Sequence, residues 1–167
     1  IVKDVNADSV TESLALLIRS QGVELTDLTE FRVSMEGVIA RFAAERATDE
    51  DIRLLKDLLK NSKKNLDMGT HEEVIRIDEL MHMELGRISG NPIFQFLQKT
   101  IHGNIHMYYD QYLGMDEENV TKNYEDFARI VDAIEKRDPD LAASCLMEHV
   151  QRFSDGMEQI LSTKKES

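Results

Sequence analysis

The stretch from Thr70 to Gly90 constrains the fold most, because its apolar residues recur with the spacing of one helical face. Asp78 and His82 border that face, and their separation of four residues places them one turn apart on the same side of a helix. A carboxylate and an imidazole directed toward a core need partners, since an unpaired buried polar group is costly. The apolar positions are Val74, Ile77, Met81, Leu85 and Ile88.

The scarcity of chain-breaking residues extends the helical prediction to the whole chain. There are only 2 Pro and 8 Gly in 167 residues, which is little punctuation for a protein of strands and turns. Amphipathic segments with short links predict one all-α domain, an antiparallel bundle of six to seven helices. The predicted helices are Asp8–Ser20, Thr26–Arg46, Thr48–Leu66, Thr70–Gly90, Pro92–Leu113, Asn119–Lys136 and Pro139–Ser162.

Capping patterns support two of these helix starts. The second helix is predicted to begin at Thr26 or Asp27, with Glu30 as the capping-box partner of Asp27. Thr70-His71-Glu72-Glu73 predicts another capping box for the helix that carries Asp78. The apolar residues expected on the inner face of the second helix are Leu28, Phe31, Met35, Val38, Ile39 and Phe42.

Net charge and cysteine content exclude several functional classes for this segment. A net charge of −12 disfavours direct binding of nucleic acid or of an anionic membrane surface. The chain has a single cysteine, Cys145, which cannot form a disulfide within the chain, and this suits a reducing cytosol. We expect Cys145 to be a small residue of the core. No apolar run is long enough to span a bilayer and no signal peptide is visible. Because Ile1-Val2-Lys3 contains no Met, we interpret the chain as a fragment that lacks its natural N-terminal part.

Asp78, His82 and His149 are the strongest candidates for a functional site. His149 lies at the edge of the apolar stripe of the last helix, and the three side chains converge if the fourth and seventh helices face each other. Two imidazoles and one carboxylate suit a divalent transition metal and leave coordination positions open for water or a ligand oxygen. The alternative is a buried hydrogen bond between Asp78 and one of the histidines, with no metal.

Further polar residues have two interpretations each. Arg32 could clamp a carboxylate with its guanidinium, or pair simply with Glu36 one turn away. His102 and His106 could line a cavity, but half-exposed positions are the favoured interpretation.

An enzyme is the main rival to a binding domain. Glu79 and His82 form a Glu-x-x-His pattern, but the second copy that a di-iron bundle needs is missing from the sequence. A metal-dependent enzyme would also need an acid or base near the metal, for which the candidates are Glu148 and Asp126.

Three ordered groups of residues extend over nearly the whole chain. The groups are Glu30-Phe31-Arg32 through Glu36 with Ala43–Asp51, then Asp78-Glu79-Leu80-Met81-His82 with Ser89-Gly90-Asn91-Pro92, then Ile130–Ile134 with Arg137-Asp138-Pro139, Ala142 and His149. In this order they resemble the C-terminal effector-sensing (FCD) domain of FadR-type GntR transcription regulators.

The resemblance implies an architecture and a set of partners. It implies a helical domain over residues 8–162 that binds a small metabolite, often an organic acid, and forms a homodimer in the bacterial cytoplasm, without catalysis and without a membrane. Operator DNA would be bound only by a missing N-terminal winged helix-turn-helix domain. Residues 1–7 would be the end of that domain or a linker, and residues 163–167 a frayed tail.

The resemblance also implies a metal centre, from which this chain departs at one position. Many members hold a divalent metal with one Asp and three His; Asp78, His82 and His149 match three of these ligands. Phe127, three residues before Ile130, stands where the family has the remaining His. Zinc or nickel could still bind, with water, substrate or His106 completing the shell. Alternatively, Phe127 marks a metal-free pocket in which the histidines contact the effector directly. The residues expected to bind the effector are Arg32, Asp78, His82, His106, Phe127 and His149.

Overall fold

The described part of the chain is built from six helices. The computed structural model describes residues 24–112 and 117–165 together with Ser13, Leu16 and Leu17. Within these ranges, only the backbone is described at residues 25, 104–112 and 157–165. The helices are α1 (Leu25–Arg46), α2 (Asp49–Asp67), α3 (His71–Ile88), α4 (Pro92–Tyr112), α5 (Glu117–Glu135) and α6 (Pro139–Lys165). The all-α prediction is therefore confirmed. The predicted helix Asp8–Ser20 lies outside the described residues except for its three helical positions.

The two capping predictions were wrong in detail. The first helix begins one or two residues earlier than predicted, because the Asp27 carboxylate accepts a hydrogen bond from the backbone N–H of Glu24 at 3.0 Å and closes a capping box there. At the start of α3 the Thr70 side chain makes no cap hydrogen bond. Glu73 turns to Arg76 instead, in a two-bond pair with distances of 2.9 and 2.6 Å.

The core lies where α1, α3, α5 and α6 meet, and the predicted apolar stripe of α3 is buried in it. The prediction for α1 was partly wrong: Phe31 and Val38 are 45% and 40% exposed. Their places on the inner face are taken by Arg32 and Glu36, which are 4% and 0% exposed. A polar pair is thus built into the centre of the bundle. No described helix is both long enough and apolar enough to cross a membrane.

Cys145 lies in this core at 2% exposure, and burial raises the pKa of its thiol above the ordinary value. Because the thiolate is the reactive form, we expect Cys145 of the folded chain to react with iodoacetamide more slowly than a free thiol. The rate should rise with pH, and its midpoint should lie above that of a free thiol. Mass spectrometry of the alkylated chain measures it. Complete reaction in denaturant is the control, and equally fast reaction of the folded chain would contradict the expectation.

Candidate functional site

The structure brings Asp78, His82 and His149 together between α3 and α6. His82 and His149 face each other through their Nε2 atoms at 3.3 Å. The Asp78 carboxylate lies beside both, with Oδ1 at 3.5 Å from His149 Nε2 and Oδ2 at 3.8 Å from His82 Nε2. All three side chains are almost completely buried. We call this group the three-donor cluster, since each member offers one possible metal ligand within reach of the others.

Each histidine of the three-donor cluster has a second carboxylate at its other ring nitrogen. His82 Nδ1 contacts Glu36 Oε2 of α1, and His149 Nδ1 lies 3.2 Å from Asp126 Oδ2 of α5. In a neutral imidazole these partners place the proton on Nδ1, so that Nδ1–H donates to the carboxylate and Nε2 carries a lone pair. Carboxylates in this position orient histidine ligands in metal sites.

This arrangement leaves the centre of the cluster electron-rich. Two Nε2 lone pairs 3.3 Å apart repel each other unless a cation or a proton lies between them. Asp78 Oδ1 is buried and has no hydrogen-bond partner. A divalent transition metal would satisfy all three groups, and the two imidazoles and one carboxylate are ligands that such a metal accepts. The residues present therefore fit a metal.

Phe127 closes one side of the cluster. Its ring is 3% exposed and meets His82 edge-on at 5.2 Å between ring centroids, and it lies 4.9 Å from the ring of His149. Phenylalanine offers no ligand atom, so on this side the cluster is bounded by apolar surface. The donor set among the described side chains is three, which leaves at least one coordination position of a tetrahedral metal open.

Glu36 is the centre of a second polar group, on the α1 side of His82. The Arg32 guanidinium donates to Glu36 Oε1 from Nε at 2.9 Å and lies at the same distance through Nη2, so the simple pair between neighbouring turns is what the structure shows. Gln98 of α4 donates to Glu36 Oε2 at 3.3 Å. Burial alone would raise the pKa of Glu36, but His82 when it is protonated, together with the Arg32 guanidinium, outweighs burial and holds that pKa well below its usual range. Glu36 is therefore a carboxylate anion in the core.

His102 belongs to this second group, so the favoured half-exposed interpretation was wrong for it. His102 is 4% exposed, its ring centroid lies 4.2 Å from that of His82, and Nε2 is 3.4 Å from Glu36 Oε1. Burial, assisted by the charge of His82, lowers the pKa of His102 to about 3. Glu36, His82 and His102 could also surround a metal, but the Arg32 charge on Glu36 makes that position less suited to a cation. The side chain of His106 lies outside the described residues.

Asp126 joins the site to the protein surface. Burial on its own would raise the pKa of Asp126, yet hydrogen bonds with His149 and Arg152 lower it. Arg152 donates to Asp126 Oδ2 at 2.7 Å and to the side-chain oxygen of Asn123 at 2.6 Å. Sequence reasoning had considered Asp126 only as a possible acid or base, and it missed Gln98 and Asn123 altogether, since amide side chains give no pattern in a single sequence.

A narrow cleft reaches the three-donor cluster between α2, α3 and α5. Its interior volume of about 10 Å³ holds about one water molecule, and Asp78 and Phe127 are among its lining residues. We call it the inner cleft. Its lining combines apolar side chains with hydroxyl and amide groups, among them Leu59, Ser62, Asp78, Asn123, Tyr124 and Phe127.

Comparisons with known proteins find one matching family model and several similar proteins. The family model described as the FCD domain matches residues 27–152. The chain is 30% identical over 173 aligned residues to the HTH-type transcriptional repressor NanR of Cronobacter sakazakii, covering 97% of this chain and 63% of that protein. It is 34% identical over 129 residues to the HTH-type transcriptional repressor NanR of Escherichia coli K12, covering 75% of this chain and 47% of that protein. The chain thus spans about half to just under two thirds of the length of these relatives.

Solved structures agree on the fold. Streptococcus agalactiae GntR superposes with a TM-score of 0.67 at 24% identity, covering 78% of this chain and 58% of that one. E. coli McbR/YncC superposes with a TM-score of 0.69 at 20% identity, covering 81% of this chain and 68% of that one. At such identities the likeness shows the shared helical architecture alone.

Proposed function

Because the chain belongs to the FCD domain family of GntR-type transcription regulators, we propose that it senses a small carboxylate and thereby changes operator binding by an N-terminal winged helix-turn-helix domain of the same protein. FCD regulators bind effectors and dimerise. The similar NanR proteins are transcriptional repressors, which agrees with the prediction of a domain without catalysis. The proposed regulator is a homodimer that acts in the bacterial cytoplasm.

One observation carries the effector site: two buried histidines present their Nε2 atoms to each other beside an unpartnered carboxylate oxygen. We propose that Asp78, His82 and His149 hold zinc or nickel. The bound metal would supply a Lewis-acidic position for an oxygen of the effector carboxylate. The chain's own residues orient the ligands from behind, Glu36 at His82 and Asp126 at His149.

Each of the other residues expected to bind the effector has its own role in this proposal. Phe127 forms an apolar wall of the site and keeps one side of the metal free of a fourth protein ligand. Arg32 is committed to Glu36 and is 4% exposed, which supports a positioning role behind His82. His106 remains a candidate to complete the coordination shell, and its side chain lies outside the described residues.

The sensing proposal is tested on the full-length regulator. Small carboxylates that raise the melting temperature of the metal-loaded protein are identified first, since a ligand that binds the folded state stabilises it. Operator affinity is then measured with and without each such carboxylate, and sedimentation of the same preparation measures the dimer. We expect operator affinity to change roughly 5- to 150-fold, the usual range of coupling between two sites. Unchanged affinity with the carboxylate bound would overturn the switching part of the proposal.

A further inference from the structure

Arg152 is the outermost member of a chain of contacts that begins at His149. Its guanidinium donates to Asp126 Oδ2 from Nε at 3.0 Å and from Nη2 at 2.7 Å, and this is the oxygen that contacts His149 Nδ1. The Arg152 side chain is partly exposed, whereas the imidazole is buried. The sequence of contacts from His149 through Asp126 to Arg152 thus links the three-donor cluster to the outer side of α5 and α6.

The two hydrogens of Arg152 Nη2 are both used away from the imidazole. One N–H donates to Asp126, and the other donates at 2.6 Å to Oδ1 of Asn123, which lines the inner cleft. Nη2 also lies 3.5 Å from His149 Nδ1, but no third hydrogen is left for a bond there. His149 Nδ1 therefore acts as the donor to Asp126, and its Nε2 lone pair faces His82.

A second arginine, Arg129, lies on the other side of the same carboxylate. Its Nη1 is 4.0 Å from Asp126 Oδ1, and its Nη2 donates to Glu148 at 2.9 Å. Without Arg152, the only cation that the structure places beside Asp126 on α5 or α6 would be Arg129, at Oδ1. A half-buried carboxylate drawn toward Arg129 and water turns Oδ2 away from His149 Nδ1, which then loses its acceptor.

The two histidines of the three-donor cluster are held by different means. The carboxylate behind His82 is Glu36, which is bound by the buried guanidinium of Arg32 inside the core. The carboxylate behind His149 takes its hydrogen bonds at the edge of the bundle, from Arg152. A change at Arg152 should therefore alter His149 and leave His82 as it is.

We infer that Arg152 is a positioning residue of the effector site, which holds Asp126 against His149 Nδ1 and so keeps the Nε2 lone pair directed into the three-donor cluster. The inference rests on the proposed function, because the lone pair serves there as a ligand. It deepens that function by assigning the orientation of a buried ligand to a partly exposed side chain outside the cluster.

The metal-free chain tests the inference, because imidazole nitrogen NMR shifts show which ring nitrogen carries the proton. At about pH 8.5 an ordinary imidazole is neutral, so these shifts measure the tautomer. In Arg152→Gln we expect the ratio of the Nδ1–H form to the Nε2–H form of His149 to fall on the order of tenfold, since a hydrogen bond to a charged acceptor favours one form by about that factor. His82 should keep its proton on Nδ1.

Arg129→Gln is the matched control, because it removes a guanidinium near Asp126 without removing a hydrogen bond to Oδ2. His149 should keep the parent ratio in this variant, and Arg129→Gln/Arg152→Gln should recover part of the loss, since the second cation is gone. Should Arg152→Gln unfold, Arg152→Lys, which retains one donor, should show a smaller change in the same direction. An unchanged ratio in Arg152→Gln, or an equal change in Arg129→Gln, would overturn the inference.

Zinc titration of the same variants separates this inference from the proposed function. Zinc affinity should fall roughly tenfold in Arg152→Gln, at the lower end of the effect of outer partners, and much less in Arg129→Gln. An equal fall in both variants would overturn the positioning role. A parent chain that binds no zinc would remove the metal from the proposed function, whereas the tautomer ratios would still decide whether Arg152 orients His149.

Discussion

Replacement of Glu36 by glutamine is expected to lower the free energy of unfolding by about 3–5 kcal/mol, because it leaves the buried Arg32 guanidinium without its counter-charge. Arg32 and Glu36 are 4% and 0% exposed, so solvent cannot take over the role of the lost carboxylate. The amide would also replace an acceptor at His82 Nδ1 and face the amide of Gln98. For a domain of this size, roughly 2–4 °C in melting temperature accompanies each kcal/mol, so Glu36→Gln should melt on the order of 10 °C below the parent.

Two comparisons separate loss of the charge pair from other effects. Glu45→Gln makes the same chemical change at an exposed position of α1 and should change stability by less than about 0.5 kcal/mol. The double variant Arg32→Met/Glu36→Leu removes both charges and should recover a large part of the loss, since replacement of a complete buried pair is often close to neutral. Urea unfolding followed by circular dichroism measures all three. A Glu36→Gln protein as stable as the parent would show that the pair does not hold α1 in place.

Replacement of His82 by alanine is expected to abolish stoichiometric metal binding. Even loss of an outer partner of a ligand costs roughly 10–100-fold in metal affinity, and loss of one of three direct ligands should cost more than about 100-fold. Elemental analysis of protein purified without a nickel-affinity step measures zinc and nickel per chain. The expected result is about one metal in the parent chain and none in His82→Ala.

His71→Ala is the matched control, because His71 lies in the first turn of the same helix and outside the three-donor cluster. Its metal content should equal that of the parent chain. His149→Gln provides a second variant should His82→Ala unfold, since it removes the facing ligand from α6 with less loss of volume. Metal retained in both ligand variants, or no metal in the parent, would contradict the proposed centre and favour a pocket in which the histidines contact the effector directly.

The helical bundle and the pairing of Asp78 with His82 were predictable from the sequence, because both depend on the spacing of residues within one helix. The stripe of α3 is visible in the sequence as a helical repeat, and the neighbourhood of Asp78 and His82 follows from their separation of four residues. The approach of His149 depends on how α6, which packs mainly against α1 and α5, lies across the core from α3, and was proposed only on the condition that these helices face each other. The observed distance of 3.3 Å to His82 meets that condition.

The outer partners of the histidines could not be predicted from periodicity. Periodicity assigns apolar residues to the inner face of α1. It therefore predicts that Phe31 and Val38 point into the core, and it gives Glu36 no role except as the neighbour of Arg32 one turn away. In the structure the bundle buries the charged pair, since His82 and Gln98 from other helices supply Glu36 with hydrogen bonds that no single helix contains. The burial of His102 has the same origin, because its contacts lie on α1 and α3.

The position of Glu36 has a mechanical consequence. Its two carboxylate oxygens are held from α1 by Arg32, from α3 by His82 and from α4 by Gln98. A displacement of His82 must therefore be followed by α1, or a buried charge loses a hydrogen bond at a cost of about 1–3 kcal/mol. Hydrogen bonds that fix one carboxylate to three helices transmit small movements, which a side chain without such partners would absorb. We therefore expect a rearrangement at the three-donor cluster to be accompanied by a shift of α1, the helix that carries Glu36.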